Sequence, residues 1–255
     1  MAVPSEKTNI HTKIIGKNII RYSSIESTNA AAKEIAQKGT VQDGTVILSK
    51  TQTKGRGRKD RKWFSPEGGL WFSVIIYPDL EPDRAMLVTM ATSAAIVEGI
   101  LRYCNKESQI KWPNDVLIDK KKVAGVLTEL HAEKGRLEYM VVGVGVNVNN
   151  RLPEELHETA TSIKREIDSE IETESLFKNI LRVMDELYRT LIAGEYEEIR
   201  ERWLAHTNMI GKKIKIHEFD SVRTGVVKGI DKSGGLLVDI DGKRTVILSG
   251  DIEIL

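Results

Sequence analysis

Residues 50–71 read KTQTKGRGRKDRKWFSPEGGLW and form a basic segment between two apolar runs, 45–49 and 70–77. Seven lysines and arginines fall within its first thirteen residues, and Asp60 is the only acid among them. The glycines of its GRGR portion allow the backbone to take positive φ and to approach a ligand closely. The segment therefore predicts a loop between two strands that suits a polyanion, because backbone N–H groups and guanidinium groups both fit phosphate oxygens.

Composition places the chain among ordinary globular proteins. It has 255 residues, of which 40% are hydrophobic and 29% charged, with a formal net charge of +1. We expect one or two domains, and no overall field that would attract nucleic acid. Cys104 is the only cysteine, which excludes an intramolecular disulfide and a cysteine-cluster metal site and fits a reducing cytoplasm. No secretory signal is recognisable, and we expect the apolar runs to be far shorter than a membrane span.

Periodicity predicts an α+β fold on both sides of the basic segment. Pro113 breaks the strand that begins at Ile110, and residues 149–173 are polar with at most a short helix. The helix at 84–103 carries apolar residues along one side. The predicted strands are 17–22, 45–49, 70–77, 116–118, 123–130 and 139–148, and the predicted helices are Ser27 or Thr28 to Gly39, 84–103, 174–193 and 195–206.

The pattern changes near His206. Beyond it, short apolar runs alternate with glycines, and Asp241–Gly242 is typical of a two-residue hairpin turn. We therefore predict a small antiparallel β-barrel over 207–255 and a larger domain over 1–206.

Two glycines, Gly143 and Gly145, occupy alternate positions of the strand at 139–148. They indicate either the close approach of a ligand or another backbone, or a tightly packed sheet face. The sequence leaves both interpretations open.

Four further stretches accompany the basic segment: ESTN at 26–29, KWPNDV at 111–116, KVAGVLTE at 122–129 and GVGVN at 143–147. In this order and at these separations, the five stretches resemble the catalytic domain of biotin protein ligases, over residues 20 to 150. The resemblance implies a mixed or antiparallel sheet with helices, similar to class II synthetases, followed by an SH3-like barrel.

The resemblance also implies an activity. Biotin protein ligases join the biotin carboxylate to the α-phosphate of ATP, release pyrophosphate, and transfer biotin from biotinyl-5′-AMP to a lysine of a biotin carboxyl carrier domain. Neither step needs a protein nucleophile; cationic side chains and Mg²⁺ act by positioning and electrostatics. The chain matches this need with many cations and no GxSxG, HExxH or GxxxxGK[ST] motif.

Site residues carry over position by position from the resemblance, with Lys111 and Arg58 as the catalytic pair. Lys111 would bridge the carboxylate and the α-phosphate, and Asn147 would contact Mg²⁺ carried by ATP. The residues implied for biotin are Ser27, Thr28, Asn29, Gln52, Gly55, Arg56, Arg58, Lys111 and Gly125. Those implied for ATP are Arg58, Arg61, Trp63, Lys111, Asn114 and Asn147.

Several of these residues have plainer interpretations when taken singly. A bare GRGR segment is typical of a solvated turn, Ser27 and Thr28 of a helix cap, and Trp63 of a core residue. One position departs from the family pattern: Asp60 stands where a glycine is usual in the loop. Asp tolerates positive φ better than most residues, so we expect the loop to keep its shape.

Two alternative functions remain at this level. A lipoate–protein ligase shares the fold and the adenylate chemistry, although it usually lacks the GRGR segment with its following tryptophan. A nucleic-acid-binding module could use the basic loop and the barrel, but the near-zero net charge argues against it.

Three expectations concern partners. Only about 25 residues precede Glu26, too few for the DNA-binding domain that some members of the family carry, so we expect a monofunctional ligase without specific DNA binding. We expect no membrane association. Related enzymes often dimerise by joining sheets edge to edge, so a homodimer is expected.

Overall fold

An eight-stranded sheet forms the larger part of the protein, in the order β1-β2-β3-β4-β8-β7-β6-β5. The computed structural model describes residues 2–3, 10–39, 41–218 and 221–255. Among the described strands, only β2 and β3 pair in parallel, so the predicted mixed sheet is confirmed. The strands are β1 Ala2–Val3, β2 Ile19–Tyr22, β3 Thr45–Ser49, β4 Leu70–Ile76, β5 Gln109–Lys111, β6 Asp115–Ile118, β7 Lys121–Glu133 and β8 Arg136–Val146.

Among the described residues, the larger part of the protein also contains five α-helices: α1 Thr28–Gln37, α2 Ala85–Cys104, α3 Ile163–Ile167, α4 Thr173–Ile192 and α5 Tyr196–Ala205. The Ser27 side chain caps α1 by accepting a hydrogen bond from the Ala30 N–H at 3.4 Å. Helix α2 contacts the sheet, α4 and α5, so it is buried on more than the single side that its pattern predicts. Its length and hydropathy follow from this central position.

Residues 82–104, which include α2, contradict the expectation that every apolar run is far shorter than a membrane span. The 23 residues have a mean hydropathy of 1.4 in their most apolar window, which is enough to cross a membrane by length and composition. However, 83% of that window is buried inside the fold. A core helix has the same composition, because it must be apolar on all of its packed sides.

The C-terminal elements form a separate five-stranded antiparallel sheet in the order β12-β11-β10-β9-β13. Asp241 and Gly242 both have positive φ, at 52° and 79°, in the turn between β11 and β12, as the hairpin prediction requires. The antiparallel β domain is confirmed. Its strands are β9 Lys213–His217, β10 Val222–Ile230, β11 Leu236–Ile240, β12 Lys243–Ile247 and β13 Asp251–Ile254.

The two sheets are joined next to the KWPND stretch. The Trp112 indole N–H donates to the Gly234 carbonyl at 3.0 Å, and the Ile110 N–H donates to the His206 carbonyl at 2.7 Å. Helix α5 ends at Ala205 and β9 begins at Lys213. The domain boundary at 206 stays a prediction, because the contact of Trp112 with Gly234 joins the two parts.

The faces of the large sheet are covered unequally. The main core lies between one face and α2, α4 and α5. On the other face, α1 covers a smaller apolar cluster that includes Ile47, Ile75 and Val141. This helix covers one end of the face, and the remaining part forms the floor of a large cavity.

Candidate active site

The floor of the cavity is a row of residues brought together by strand register. Lys111 pairs with Asp115, Asp115 with Gly125, and Gly125 with Gly145 across β5, β6, β7 and β8. On the other side of β8, Trp71 pairs with Gly145. Because cross-strand partners share a face, the two glycines form a shallow trough between charged and aromatic side chains.

Side chains fill the space that Gly143 and Gly145 leave. A Cβ on Gly143 would lie 2.1 Å from Asn29 Oδ1, and a Cβ on Gly145 would lie 2.5 Å from Trp63 Nε1. Both distances are shorter than real Cβ contacts, so any larger residue at these positions would force the Asn29 or Trp63 side chain to move. The sequence allowed three explanations for these glycines: a nearby ligand, a nearby backbone or a tightly packed sheet face. In the structure, their close neighbours are the Asn29 amide and the Trp63 indole.

The N-terminus of α1 points into the cavity and carries a polar cluster. Gln52 Oε1 accepts from the Thr28 backbone N–H at 2.8 Å and from the Thr28 hydroxyl at 3.0 Å. Gln52 Nε2 donates to Ser65 Oγ at 2.9 Å. Ser27 Oγ accepts from the Ala30 N–H, which leaves its hydroxyl proton available to a ligand. A helix N-terminus also favours a carbonyl oxygen or an anion.

The basic segment folds as a narrow hairpin. The Gly57 N–H donates to the Arg61 carbonyl at 2.6 Å, and the Trp63 N–H donates to the Gly55 carbonyl at 2.9 Å. Asp60 has φ of 56°, so it takes the left-handed conformation expected at this position. The aspartate therefore substitutes for the usual glycine at a modest backbone cost.

The tip of this hairpin touches both sheets. Arg58 Nη1 donates to Asn114 Oδ1 at 3.1 Å, and Arg58 Nη2 donates to the Gly250 carbonyl at 3.4 Å. Burial lowers the pKa of the Arg58 guanidinium, although Asp251 and Asp115 act in the opposite direction. Lys59 Nζ lies 3.2 Å from Asp251 Oδ2, and Arg61 pairs with the same carboxylate.

Two lysines reach the cavity from different strands. Lys122 Nζ lies 2.6 Å from Asp115 Oδ1 and 5.0 Å from the centre of the Trp63 ring, beside Gly125. Lys111 lines the same cavity but, within the described residues, forms no ion pair. Lys122 is therefore the better held of the two cations.

The cavity has a volume of about 510 Å³, which is in the range of small-molecule sites. All the residues implied for biotin and ATP line it except Gly55, which is a buried residue of the hairpin itself and accepts from the Trp63 N–H. Their individual roles stay predictions. The structure thus brings together in space residues that lie far apart in the sequence: Ser27, Thr28, Asn29, Gln52, Arg56, Arg58, Arg61, Trp63, Lys111, Asn114, Gly125 and Asn147.

The sequence did not identify two parts of the cavity wall. One is the segment 152–160, which was described only as polar; its Leu152 and Leu156 face the cavity, and their spacing of four residues was the available signal. The other is Gly250–Ile252 of the C-terminal sheet. The sequence analysis named no site residue in that domain, yet Asp251 places a carboxylate against the basic hairpin.

The cavity holds few candidate metal ligands. Among the described residues, no group of three or more His, Cys, Asp or Glu side chains could hold a metal ion. Asn147 is buried, and its Oδ1 accepts from Asn150 Nδ2 at 3.2 Å. This donor set fits Mg²⁺ that arrives on substrate phosphates and takes one or two protein oxygens, as Mg²⁺ commonly does.

Comparison with known proteins agrees with this geometry. Residues 22–147 match the Biotin/lipoate A/B protein ligase family, and residues 209–255 match the Biotin protein ligase C terminal domain. The first match contains both ligase types, so it does not distinguish biotin from lipoate. The second match is specific to biotin protein ligases.

Individual relatives support the same assignment. The chain is 33% identical over 249 residues to the bifunctional ligase/repressor BirA of Bacillus subtilis, which covers 96% of this chain and 76% of that protein. It is 26% identical to the biotin–[acetyl-CoA-carboxylase] ligase of Paracoccus denitrificans, over 89% of this chain and 96% of that one. The Aquifex aeolicus biotin protein ligase, solved in complex with biotin and ATP, superposes with a TM-score of 0.81 at 29% identity, over 93% of this chain and 98% of that one. The chain therefore belongs to the biotin protein ligase family and is a ligase.

Proposed function

We propose that this protein activates biotin with ATP and transfers it to a lysine of a biotin carboxyl carrier domain. In the first step, a biotin carboxylate oxygen bonds to the α-phosphorus of ATP, the bond from that phosphorus to the β-phosphate bridging oxygen breaks, and pyrophosphate leaves. In the second step, the carrier lysine amine attacks the acyl carbon, AMP leaves, and the amine loses a proton. The relative named biotin–[acetyl-CoA-carboxylase] ligase supports a carboxylase carrier as the acceptor.

One observation carries the proposal: a polar helix N-terminus, a glycine trough and a basic hairpin surround a single cavity. The Thr28–Gln52 cluster offers donors and acceptors that suit a ureido group. The trough beside Gly125 and Gly145 suits a flat, extended chain, and the hairpin cations suit phosphates. No nucleophile is needed, because the attacking atoms belong to the substrates.

Positioning of charge accounts for the chemistry. We propose that Lys122 or Lys111 lies between the carboxylate and the α-phosphate, and that Arg58 and Arg61 hold phosphate oxygens. These cations stabilise the charge that develops on the transferring group. Mg²⁺ bound to the phosphates, with Asn147 nearby, would neutralise part of the remaining charge.

Pyrophosphate release tests the proposal. Purified protein is given ATP and Mg²⁺ with biotin, with lipoate, or with neither acid. We expect pyrophosphate to be released only in the reaction that contains biotin. A carrier domain added to that reaction should then become biotinylated. Release with lipoate instead would favour the alternative ligase, and no release with either acid would contradict adenylate formation.

Three further properties belong to the proposal. We propose that the protein is a homodimer, cytoplasmic, and without specific DNA binding. The outer edge of β5 is bonded to residues 206 and 207, so a second copy would pair at the β1 edge. Light scattering should give the mass of two chains; a monomer at micromolar concentration would contradict the dimer.

A further inference from the structure

A continuous line of hydrogen bonds runs behind the polar cluster of the cavity. It begins at Glu129 on β7, whose Oε2 accepts from Asn29 Nδ2 at 2.8 Å. Asn29 Oδ1 lies 2.6 Å from Ser73 Oγ, which lies 2.8 Å from Thr28 Oγ1. Thr28 in turn contacts Gln52. The line therefore links β7, α1, β4 and the segment that leads into the basic hairpin.

Two acceptors set the direction of these bonds: the Glu129 carboxylate, and the Leu127 carbonyl, which accepts from Asn29 Nδ2 at the longer distance of 3.3 Å. An ionised carboxylate only accepts hydrogen bonds, so it requires the donor end of the Asn29 amide. The acceptor end, Oδ1, must then face Ser73. Ser73 has one hydroxyl proton and donates it to Asn29 Oδ1, so it cannot also donate to Thr28. The single Thr28 hydroxyl proton can then go either to Ser73 Oγ, at 2.8 Å, or to Gln52 Oε1, at 3.0 Å.

The other end of the line is fixed by the backbone. Gln52 Oε1 faces the Thr28 backbone N–H, which can only donate, so Gln52 Nε2 faces Ser65. Both amides of the cluster are thus oriented by groups whose polarity cannot reverse. The Thr28 hydroxyl proton lies between them and is the one that can adjust to a ligand.

Glu129 is suited to this task by its charge and its surroundings. Burial alone would raise its pKa, but hydrogen bonds from Lys33 and Asn29 hold the pKa below its ordinary value. Arg56 adds a further favourable charge. The Asn29 amide lies directly on Gly143, where a Cβ would be only 2.1 Å away, so the sheet leaves the amide little room to move.

We propose that Glu129 is a positioning residue for biotin, which orients the Asn29 amide and thereby the hydrogen-bond polarity of the head-group pocket. Glu129 lies outside the cavity wall, so it acts through Asn29 rather than by touching the substrate. The inference rests on the proposed biotin ligase function. It predicts that the pattern of donors and acceptors, and not only the presence of a side chain, decides biotin affinity.

An isosteric exchange that removes the negative charge tests this. In Glu129→Gln, Lys33 takes the amide oxygen, so the NH2 group faces Asn29 Nδ2. Only the longer bond from Asn29 Nδ2 to the Leu127 carbonyl, at 3.3 Å, then still orients the Asn29 amide. We expect biotin to bind about tenfold more weakly, the loss typical of one hydrogen bond to a charged group, while the KM for ATP stays within about twofold. Asn29→Asp alone places two carboxylates together and should weaken biotin binding further.

The double variant Glu129→Gln with Asn29→Asp exchanges donor and acceptor between positions 129 and 29 and keeps an acceptor toward Ser73. The Gln NH2 then donates to the Asp carboxylate, which still accepts from Ser73, and the net charge is unchanged. We expect biotin affinity to recover at least about fivefold relative to Asn29→Asp, since this exchange reinstates a charged hydrogen bond. A purely structural role predicts that the double variant binds no better than the worse single variant.

Biotin affinity is measured by calorimetric titration, and thermal unfolding shows whether each variant is folded. The control variant is Glu138→Gln, at an exposed position of β8. If the wild-type protein does not bind biotin, the proposed function fails. If the wild type binds biotin and Glu129→Gln binds it within about twofold, or the double variant shows no recovery, the role of Glu129 is overturned while the ligase assignment stands.

Discussion

The Asp251 carboxylate in the C-terminal sheet pairs with the Lys59 ammonium at the tip of the basic hairpin, at 3.2 Å between Oδ2 and Nζ. The two residues are 192 positions apart in the sequence. Arg61 pairs with the same carboxylate. Like-charge repulsion within the hairpin is therefore partly offset by an acid from the other domain before any phosphate arrives.

Removal of this acid should loosen the hairpin without unfolding the protein. Partly exposed ion pairs contribute roughly 0–1 kcal/mol, so Asp251→Asn should change global stability little. If the ion pair is lost, the free energy of local opening of the hairpin falls by the same amount. Hydrogen exchange at residues 56–62 should then become up to about fivefold faster. Biotin with ATP should slow exchange in both proteins, because the ligand supplies the missing anion. Glu253→Gln in the same strand, which faces Lys215 and His217, is the matched control; equal exchange in all three proteins would contradict the role of Asp251.

Lys122 and Lys111 compete for one role, the bridge between the carboxylate and the α-phosphate. The sequence pointed to Lys111, but Lys122 is held between Asp115 and the Trp63 ring. A preorganised cation is worth roughly 3–4 kcal/mol to a developing oxyanion. We expect Lys122→Ala to slow single-turnover adenylate formation by about 10²–10³, and Lys111→Ala to slow it less. The reverse order would restore the original prediction for Lys111.

Gly145→Ala should disturb the site without touching a charged group. The new Cβ would lie 2.5 Å from Trp63 Nε1, so the indole must move off the trough. Overpacking of this kind costs about 1–3 kcal/mol. We expect weaker binding of ATP and a slower adenylation step. The rate of pyrophosphate release measures both effects when ATP is varied. Unchanged kinetics would show that the Trp63 position is irrelevant to the nucleotide.

Stability should fall in acid through Glu98, which joins α2 to α5. Burial alone would raise the pKa of Glu98, but hydrogen bonds from His206 and Arg202 lower it to about 2. A carboxyl whose pKa is depressed in the folded state stabilises the protein above its unfolded pKa, and this contribution disappears as the pH falls toward 2. The shift corresponds to about 3 kcal/mol. Urea unfolding between pH 6 and pH 3, roughly spanning the unfolded carboxyl pKa, should show a decline that Glu98→Gln flattens; parallel curves would rule out this residue as the source.

Much of the local structure could be predicted because its causes are local. Ser27 caps α1, Asp241–Gly242 turns the last hairpin, and Asp60 takes positive φ, each through side-chain chemistry that acts within a few residues. The motif order from residue 26 to residue 147 was likewise sufficient to identify the family, which the comparisons confirm. Helix burial was less predictable, since α2 packs against partners that its own periodicity cannot specify.

The sequence by itself determined most of the strands and helices, the basic loop and most of the residues from which a site could be built. Only the tertiary structure decided which of them meet. The row from Lys111 to Gly145 depends on register across four strands, and a slip of one residue would turn every side chain to the opposite face. The contacts of Asp251 with the hairpin and of Glu129 with Asn29 join residues far apart in the chain. Their proximity is set by how two sheets and a helix pack together, and no local pattern of residue types records it.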